Sequence, residues 1–166
     1  RLEKRNDAAL FGYNVGPHSW KKFLFPPRTR VWQADRQPNG FLLRPEPIDA
    51  TPYAFLGVRS CELHAIAIQD KVFMDTDPLY RAHRERAFLI AVNCGQAGGT
   101  CFCVSMKTGP RAESGFDLAL TEILEGGQHA FTIEAGSERG REVLRLLPTE
   151  EAGASDLEAS AQCTAR

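Results

Sequence analysis

Two continuous apolar runs stand out along the chain, Tyr53-Ala-Phe-Leu-Gly-Val58 and Phe88-Leu-Ile-Ala-Val92. Short apolar runs bounded by turn residues predict strands buried on both faces. Between them, Arg59-Ser60 leads into a helix predicted from about Cys61 to Phe73, with Ser60 as its N-cap. Leu63, Ala65, Ile66, Ala67, Ile68 and Val72 surround most of its girth, which predicts a helix sandwiched between other elements. Asp77-Pro78 then opens a charged helix through Tyr80 to Arg86. Strand, helix and strand in this order predict a parallel βαβ unit.

The flanking pattern predicts smaller elements. After a polar start, the turn Asn14-Val-Gly-Pro17 precedes an amphipathic segment, Trp20-Lys-Lys-Phe-Leu-Phe25, that Pro26-Pro27 must end; it reads as a small surface element. Extended runs at 29–34 and 41–44 are joined by Gln37-Pro-Asn-Gly40, a hairpin signal. A second hairpin is predicted from 117–123 and 129–135 around Gly126-Gly127, and a closing helix from Ser137 to Leu147 stops at Pro148. The expected fold is therefore a single α/β domain over residues 1–148, with a mixed sheet containing a parallel βαβ unit plus hairpins. Residues 149–166 are polar and small and read as a linker. The chain opens on Arg rather than Met, so a piece of a longer polypeptide is expected.

Composition narrows the partners. The 166 residues are 43% hydrophobic and 25% charged, as expected for a soluble domain with a substantial core. Twenty basic against twenty-one acidic residues give a net charge of −1. That balance favours neither nucleic acid nor an anionic membrane as partner. The longest apolar stretch, Ala87 to Val92, is far too short for a bilayer, and with no leader the expected compartment is the cytoplasm.

The cysteines carry the candidate chemistry. Three of the five fall in Cys94-Gly-Gln-Ala-Gly-Gly-Thr-Cys101-Phe-Cys103, and an odd count in a leaderless chain points to reduced thiols rather than disulfides. If the two apolar strands are parallel neighbours, Cys61 and Cys94 emerge together at their carboxyl ends, the edge where open α/β sheets bind ligands. Cys61 would occupy the first helical turn, where free N–H groups lower a thiol's pKa. Cys101 and Cys103, in an extended stretch, would point the same way at roughly 6.5–7 Å, with Phe102 on the opposite side. Four converging thiolates and a glycine-rich loop suit a [4Fe-4S] cluster, an electron carrier. Arg59, Lys107 and the amides of Gly95, Gly98, Gly99 and Thr100 are candidates to offset its negative charge and raise its potential.

Four core thiols, a structural zinc site and a thiol-based redox enzyme are the alternatives. The C-x₆-C-x-C spacing with a distant fourth cysteine disfavours zinc, whose knuckles are usually C-x-x-C. His64 reads as a hydrogen-bonded helix residue, and His18, His83 and His129 form no metal spacing. The glycines at 95, 98 and 99 make neither a GxGxxG nor a phosphate loop. Cys163 lies in the polar tail and is expected to be dispensable for metal.

Several motifs in order carry a resemblance: Phe55-Leu-Gly-Val-Arg-Ser-Cys61-Glu-Leu-His-Ala-Ile-Ala-Ile-Gln-Asp70-Lys-Val-Phe73, Asn93-Cys94, Cys101-Phe-Cys103-Val-Ser-Met-Lys-Thr-Gly109-Pro110 and Gly115-Phe-Asp117-Leu-Ala-Leu-Thr121. From about Phe11 to Pro148 the chain resembles the 4Fe-4S dicluster-domain family, which includes the beta subunit of cytosolic sulfhydrogenases and the A subunit of anaerobic sulfite reductase. The resemblance implies an electron-relay subunit between flavin-containing and catalytic partner subunits. It carries over Cys61, Cys94, Cys101 and Cys103 as the cysteines upstream of a ferredoxin-like domain. Two departures stand out. The ferredoxin run C-x-x-C-x-x-C-x-x-x-C-P is absent from these residues, and Ser60 and Glu62 stand where proline and aspartate are expected.

Overall fold

The computed structural model describes residues 6–14, 16, 19–48, 51–125 and 128–165. Part of the turn expected at 14–17, His18 and the Gly126-Gly127 turn lie outside the described residues. Two sheets form among those described. Strands β1 (Trp32–Gln37) and β2 (Gly40–Pro45) make an antiparallel ribbon, paired from Trp32 opposite Pro45 to Gln37 opposite Gly40. Strands β3 (Ala54–Val58), β4 (Phe88–Val92), β5 (Leu118–Glu125) and β6 (Gln128–Ala135) form the main sheet in that order. The β3–β4 and β4–β5 pairs are parallel and β5–β6 is antiparallel. The architecture is thus the mixed α/β one expected, and its parallel part extends one strand further, to β5.

Helices α2 (Ser60–Phe73) and α3 (Pro78–Arg86) make the crossover between β3 and β4. Asp77 caps α3 by accepting from the Tyr80 N–H at 2.8 Å, as the Asp-Pro start requires. Helix α2 begins one residue earlier than its sequence suggests: Arg59 is the N-cap, and Glu62 accepts from the Arg59 N–H at 2.9 Å. Ser60 is a first-turn residue whose hydroxyl donates to the Arg111 carbonyl. Nor is α2 sandwiched. It buries Leu63 and Ile66 on one face while Ile68 and Val72 are 64% and 55% exposed. Likewise β3 is an edge strand, with Leu56 exposed and Phe55 and Val58 buried. Periodicity alone does not separate a helix buried all round from one with an apolar outer face.

The core is rich in aromatic contacts. Helix α1 (Lys21–Leu24) buries Leu24 completely and points Lys21 and Lys22 to solvent. Phe25 stacks on Phe73 at 4.5 Å, and Trp20 and Phe23 approach Phe55 at 4.9 and 5.6 Å. The Trp20–Phe25 segment is therefore amphipathic as expected, but its apolar side belongs to the core. Tyr80, also fully buried, donates its hydroxyl to Asp70, which Arg84 pairs in turn. At the start of β5, Asp117 accepts from the Leu89 N–H and the Ser137 hydroxyl, tying the sheet to α5 (Glu138–Leu144). Helix α6 (Ala154–Thr164) packs on β5 and β6, and Thr132 of β6 donates to Ser160 of α6. Sequence pattern gave no helix there, because its small polar residues carry little apolar periodicity.

Candidate metal centre

The carboxyl ends of the parallel strands are organised by Arg59. Just before it, the β3–β4 register shifts between Leu56 and Val58, a bulge in which Gly57 has φ 93°. This positive φ favours glycine, and a Cβ here would lie 3.0 Å from the Tyr13 hydroxyl, which would have to give way slightly. Arg59 is only 2% exposed. Its guanidinium donates to the carbonyls of Val92 and Asn93 at 3.3 and 3.2 Å, and to those of Phe11 and Tyr13 at 2.6 and 3.1 Å. From the other side Glu122 accepts the Leu10 and Phe11 N–H groups at 2.6 and 2.9 Å. The 10–13 segment is thereby clasped across the strand-end edge by one buried cation and one carboxylate.

Asn93 anchors the next step of the chain. Its backbone N–H donates to Leu120, its side-chain amide donates to Thr121, and its side-chain carbonyl accepts from Ala112. Cys94 follows, and its N–H donates to the Pro110 carbonyl. The 108–110 segment closes over the start of α2: a Cβ on Gly109 would stand 3.3 Å from the Ser60 Cβ and 3.6 Å from the Cys103 Cβ. Cys61, Cys94, Cys101 and Cys103 consequently line a single pocket of about 220 Å³, together with Arg59 and Thr100. The parallel strands deliver Cys61 and Cys94 to one rim, and the loop brings the other two to it.

Two local expectations are corrected. Cys101 and Cys103 do not lie in an extended stretch. Residues 98–101 form a turn in which the Gly98 N–H donates to the Cys101 sulfur at 3.2 Å, and Cys103 opens the short helix α4 (Cys103–Met106). Phe102 accordingly faces the same pocket rather than the opposite side, and is 68% exposed at its mouth. The second correction concerns acidity. The Cys61 thiol is pushed up, not down, first by partial burial and then by the charges of Glu62, Cys94 and Cys103, which outweigh the Glu62 backbone N–H that favours the thiolate. The Cys94 thiol is also raised by burial and by Cys103 and Cys101, against the opposing pull of Arg59.

Among the described residues, no three His, Cys, Asp or Glu side chains stand close enough together to hold a metal ion as they are. The donor set nonetheless suits a thiolate-bound group. Four thiols share the pocket, Cys61 and Cys101 are exposed, and the wall carries a buried cation. The Arg59 Nε, moreover, is buried without a hydrogen-bond partner among the described residues. A buried N–H of this kind costs free energy unless an acceptor meets it. The Arg59 side chain favours the Cys94 thiolate by its charge and by a hydrogen bond.

The remaining candidates divide. Thr100 lines the thiol pocket, whereas Gly95 lines a second cavity of about 660 Å³ that shares Arg59 and Cys94 with it. Gly98 contributes the N–H bonded to Cys101 and packs under the Asn14 side chain, while Gly99 is open. Lys107 caps α4 with φ 54° and is absent from the residues around the thiols. His64 bonds the Ser60 carbonyl, His83 the Leu24 carbonyl and His129 Glu122, none of them at the thiols. Sequence reasoning missed Asn14, Thr108, Gly109 and Pro110, which line the pocket, and Glu122, which lines the second cavity and holds the backbone of Leu10 and Phe11. The Gly109-Pro110 pair was the available signal, as an irregular segment following the last two thiols.

An α/β fold with four thiols gathered at the carboxyl edge of its parallel strands defines the class of site. The chain is 31% identical over 125 residues to the protein "Sulfhydrogenase 2 subunit beta" of Pyrococcus furiosus, a match covering 74% of this chain and 34% of that protein. The chain thus spans about a third of the length of the curated relative it matches. No family model and no solved structure matches.

Proposed function

We propose that this chain is an electron-transfer segment of an oxidoreductase complex of the hydrogenase type, holding one [4Fe-4S] cluster through Cys61, Cys94, Cys101 and Cys103. The observation that carries the reading is the gathering of these four thiols in one pocket whose wall contains a buried arginine that favours the Cys94 thiolate. Similarity to a sulfhydrogenase beta subunit supports the same class and the assembly with partner subunits, of flavin-containing and catalytic kinds by the sequence resemblance. Bound there, the cluster would supply one-electron transfer.

The protein's own residues do the rest. Arg59 would present a fixed positive charge to the anionic site, and Gly98 already directs its N–H at the Cys101 sulfur. Thr100 stands in the wall as a further polar group. Phe102 lines the pocket and Val104 and Met106 follow it in α4; all three are strongly exposed, an apolar collar we assign to a docked redox partner. No helix among the described residues is long and apolar enough to cross a membrane, and we place the chain in the cytoplasm. Residues 149–166, α6 included, would lead on toward a ferredoxin-like module. The test is anaerobic reconstitution with iron and sulfide of the chain and of each Cys→Ser variant. Loss of iron in each of the four variants supports the assignment, and a full complement in any one removes that cysteine from the ligand set.

A further inference from the structure

Cys163 is sixty-nine positions beyond Cys94 in sequence, yet α6 brings it back against the ligand loop. Its thiol donates to the Glu122 carbonyl of β5 at 3.2 Å. Its sulfur also lies 3.0 Å from where a Cβ on residue 95 would stand, and its carbonyl oxygen 3.8 Å. Gly95 has no positive φ, so what a side chain there would press against is the Cys163 sulfur, which would have to give way by a few tenths of an ångström. Cys163 shares the 660 Å³ cavity with Cys94 and Gly95 but does not line the four-thiol pocket. It therefore touches the residue next to a proposed ligand from outside the ligand set.

We infer that Cys163 is a positioning residue: its sulfur seats Gly95 against β5 and so fixes Cys94 at the pocket rim. The inference rests on the reading of Cys94 as a ligand, and its mechanics concern the chain alone. Helix α6 is held independently by Thr132 and Ser160, so Cys163 acts as a contact on the loop rather than as the sole tie of the helix. Packing of this closeness takes an added methyl only by displacing the opposing sulfur, so a methyl there disturbs the Cys163 contact unless that sulfur is removed.

The test uses the full chain in four forms: wild type, Gly95→Ala, Cys163→Ala and the double variant, with Thr132→Val as a control for loosening α6. In reduced apo protein, alkylation of Cys94 by iodoacetamide is followed by peptide mass spectrometry. After anaerobic reconstitution, iron per chain and its rate of loss to a chelator are measured. Gly95→Ala and Cys163→Ala are each expected to speed Cys94 alkylation and iron loss several-fold, with the initial iron count unchanged and Cys61 alkylation unaffected. The double variant, in which the new methyl takes the space of the missing sulfur, is expected to return to within about twofold of wild type, the non-additivity of two groups in contact.

Cys94 reactivity in Cys163→Ala equal to wild type would overturn the inference. So would additive effects in the double variant, or a Thr132→Val variant of equal thermal stability that reproduces the effect of Cys163→Ala. An iron count that collapses in Cys163→Ala would make Cys163 a ligand and overturn it too. If wild type takes up no iron, the cluster reading fails while the alkylation arm still decides the role of Cys163.

Discussion

Arg59 concentrates more of the site's order than any other side chain. It donates to four backbone carbonyls from two separate segments, and its charge favours the Cys94 thiolate. Arg59→Lys keeps the charge but not the planar fork, so several buried carbonyls lose their donor. We predict a stability loss of about 2–4 kcal/mol in chemical denaturation, with faster iron loss from the reconstituted protein. An unchanged denaturation midpoint would contradict this role. The importance of Arg59 was legible in sequence only as a charge beside Cys61; that it is buried and binds backbone depends on the 10–13 segment crossing the edge, which no local pattern announces. The raised Cys61 thiol illustrates the same limit. Its place in a first helical turn and the neighbouring Glu62 were readable, but the burial that chiefly raises the thiol, with smaller contributions from Cys94 and Cys103, depends on residues distant in sequence.

At the scale of elements, the βαβ unit was legible because apolar runs, an Asp-Pro helix start and turn residues agree with one another. Helix α6 and the outer face of α2 were not, since the first lacks an apolar stripe and the second has one that nothing covers. The pairing inside the crossover makes a pH prediction. Tyr80 is buried and donates to Asp70, which holds its phenol above the ordinary tyrosine range, first by burial and then by that hydrogen bond. A raised folded pKa means that the unfolded chain ionises first. The stability tied to this group is therefore complete below about pH 10 and declines as pH rises above it. Tyr80→Phe should lower stability by about 1 kcal/mol at neutral pH and flatten the alkaline decline of the thermal midpoint. An alkaline slope unchanged in the variant would show that other groups set it. Removing the α3 cap with Asp77→Ala should cost about 1 kcal/mol, and a neutral substitution would mean the cap is redundant.

For the whole molecule, the proposed function is that of an electron relay. With a match covering 34% of its relative, it is expected to show no hydrogen, sulfite or nicotinamide-linked turnover alone. Robust activity of any of these kinds from the isolated chain would contradict that expectation. Its partners should cover the exposed Phe102, Val104 and Met106 collar, so that Val104→Lys weakens association with them while leaving iron content intact. The central claim is the cluster itself. Anaerobic iron and acid-labile sulfide analysis of the reconstituted wild-type chain, read together with an electron paramagnetic resonance spectrum after reduction, tests it most directly. The prediction is a brown protein with about four irons and four sulfides per chain and a spectrum of a reduced [4Fe-4S] cluster. A colourless protein that excludes iron and binds a single zinc would contradict it.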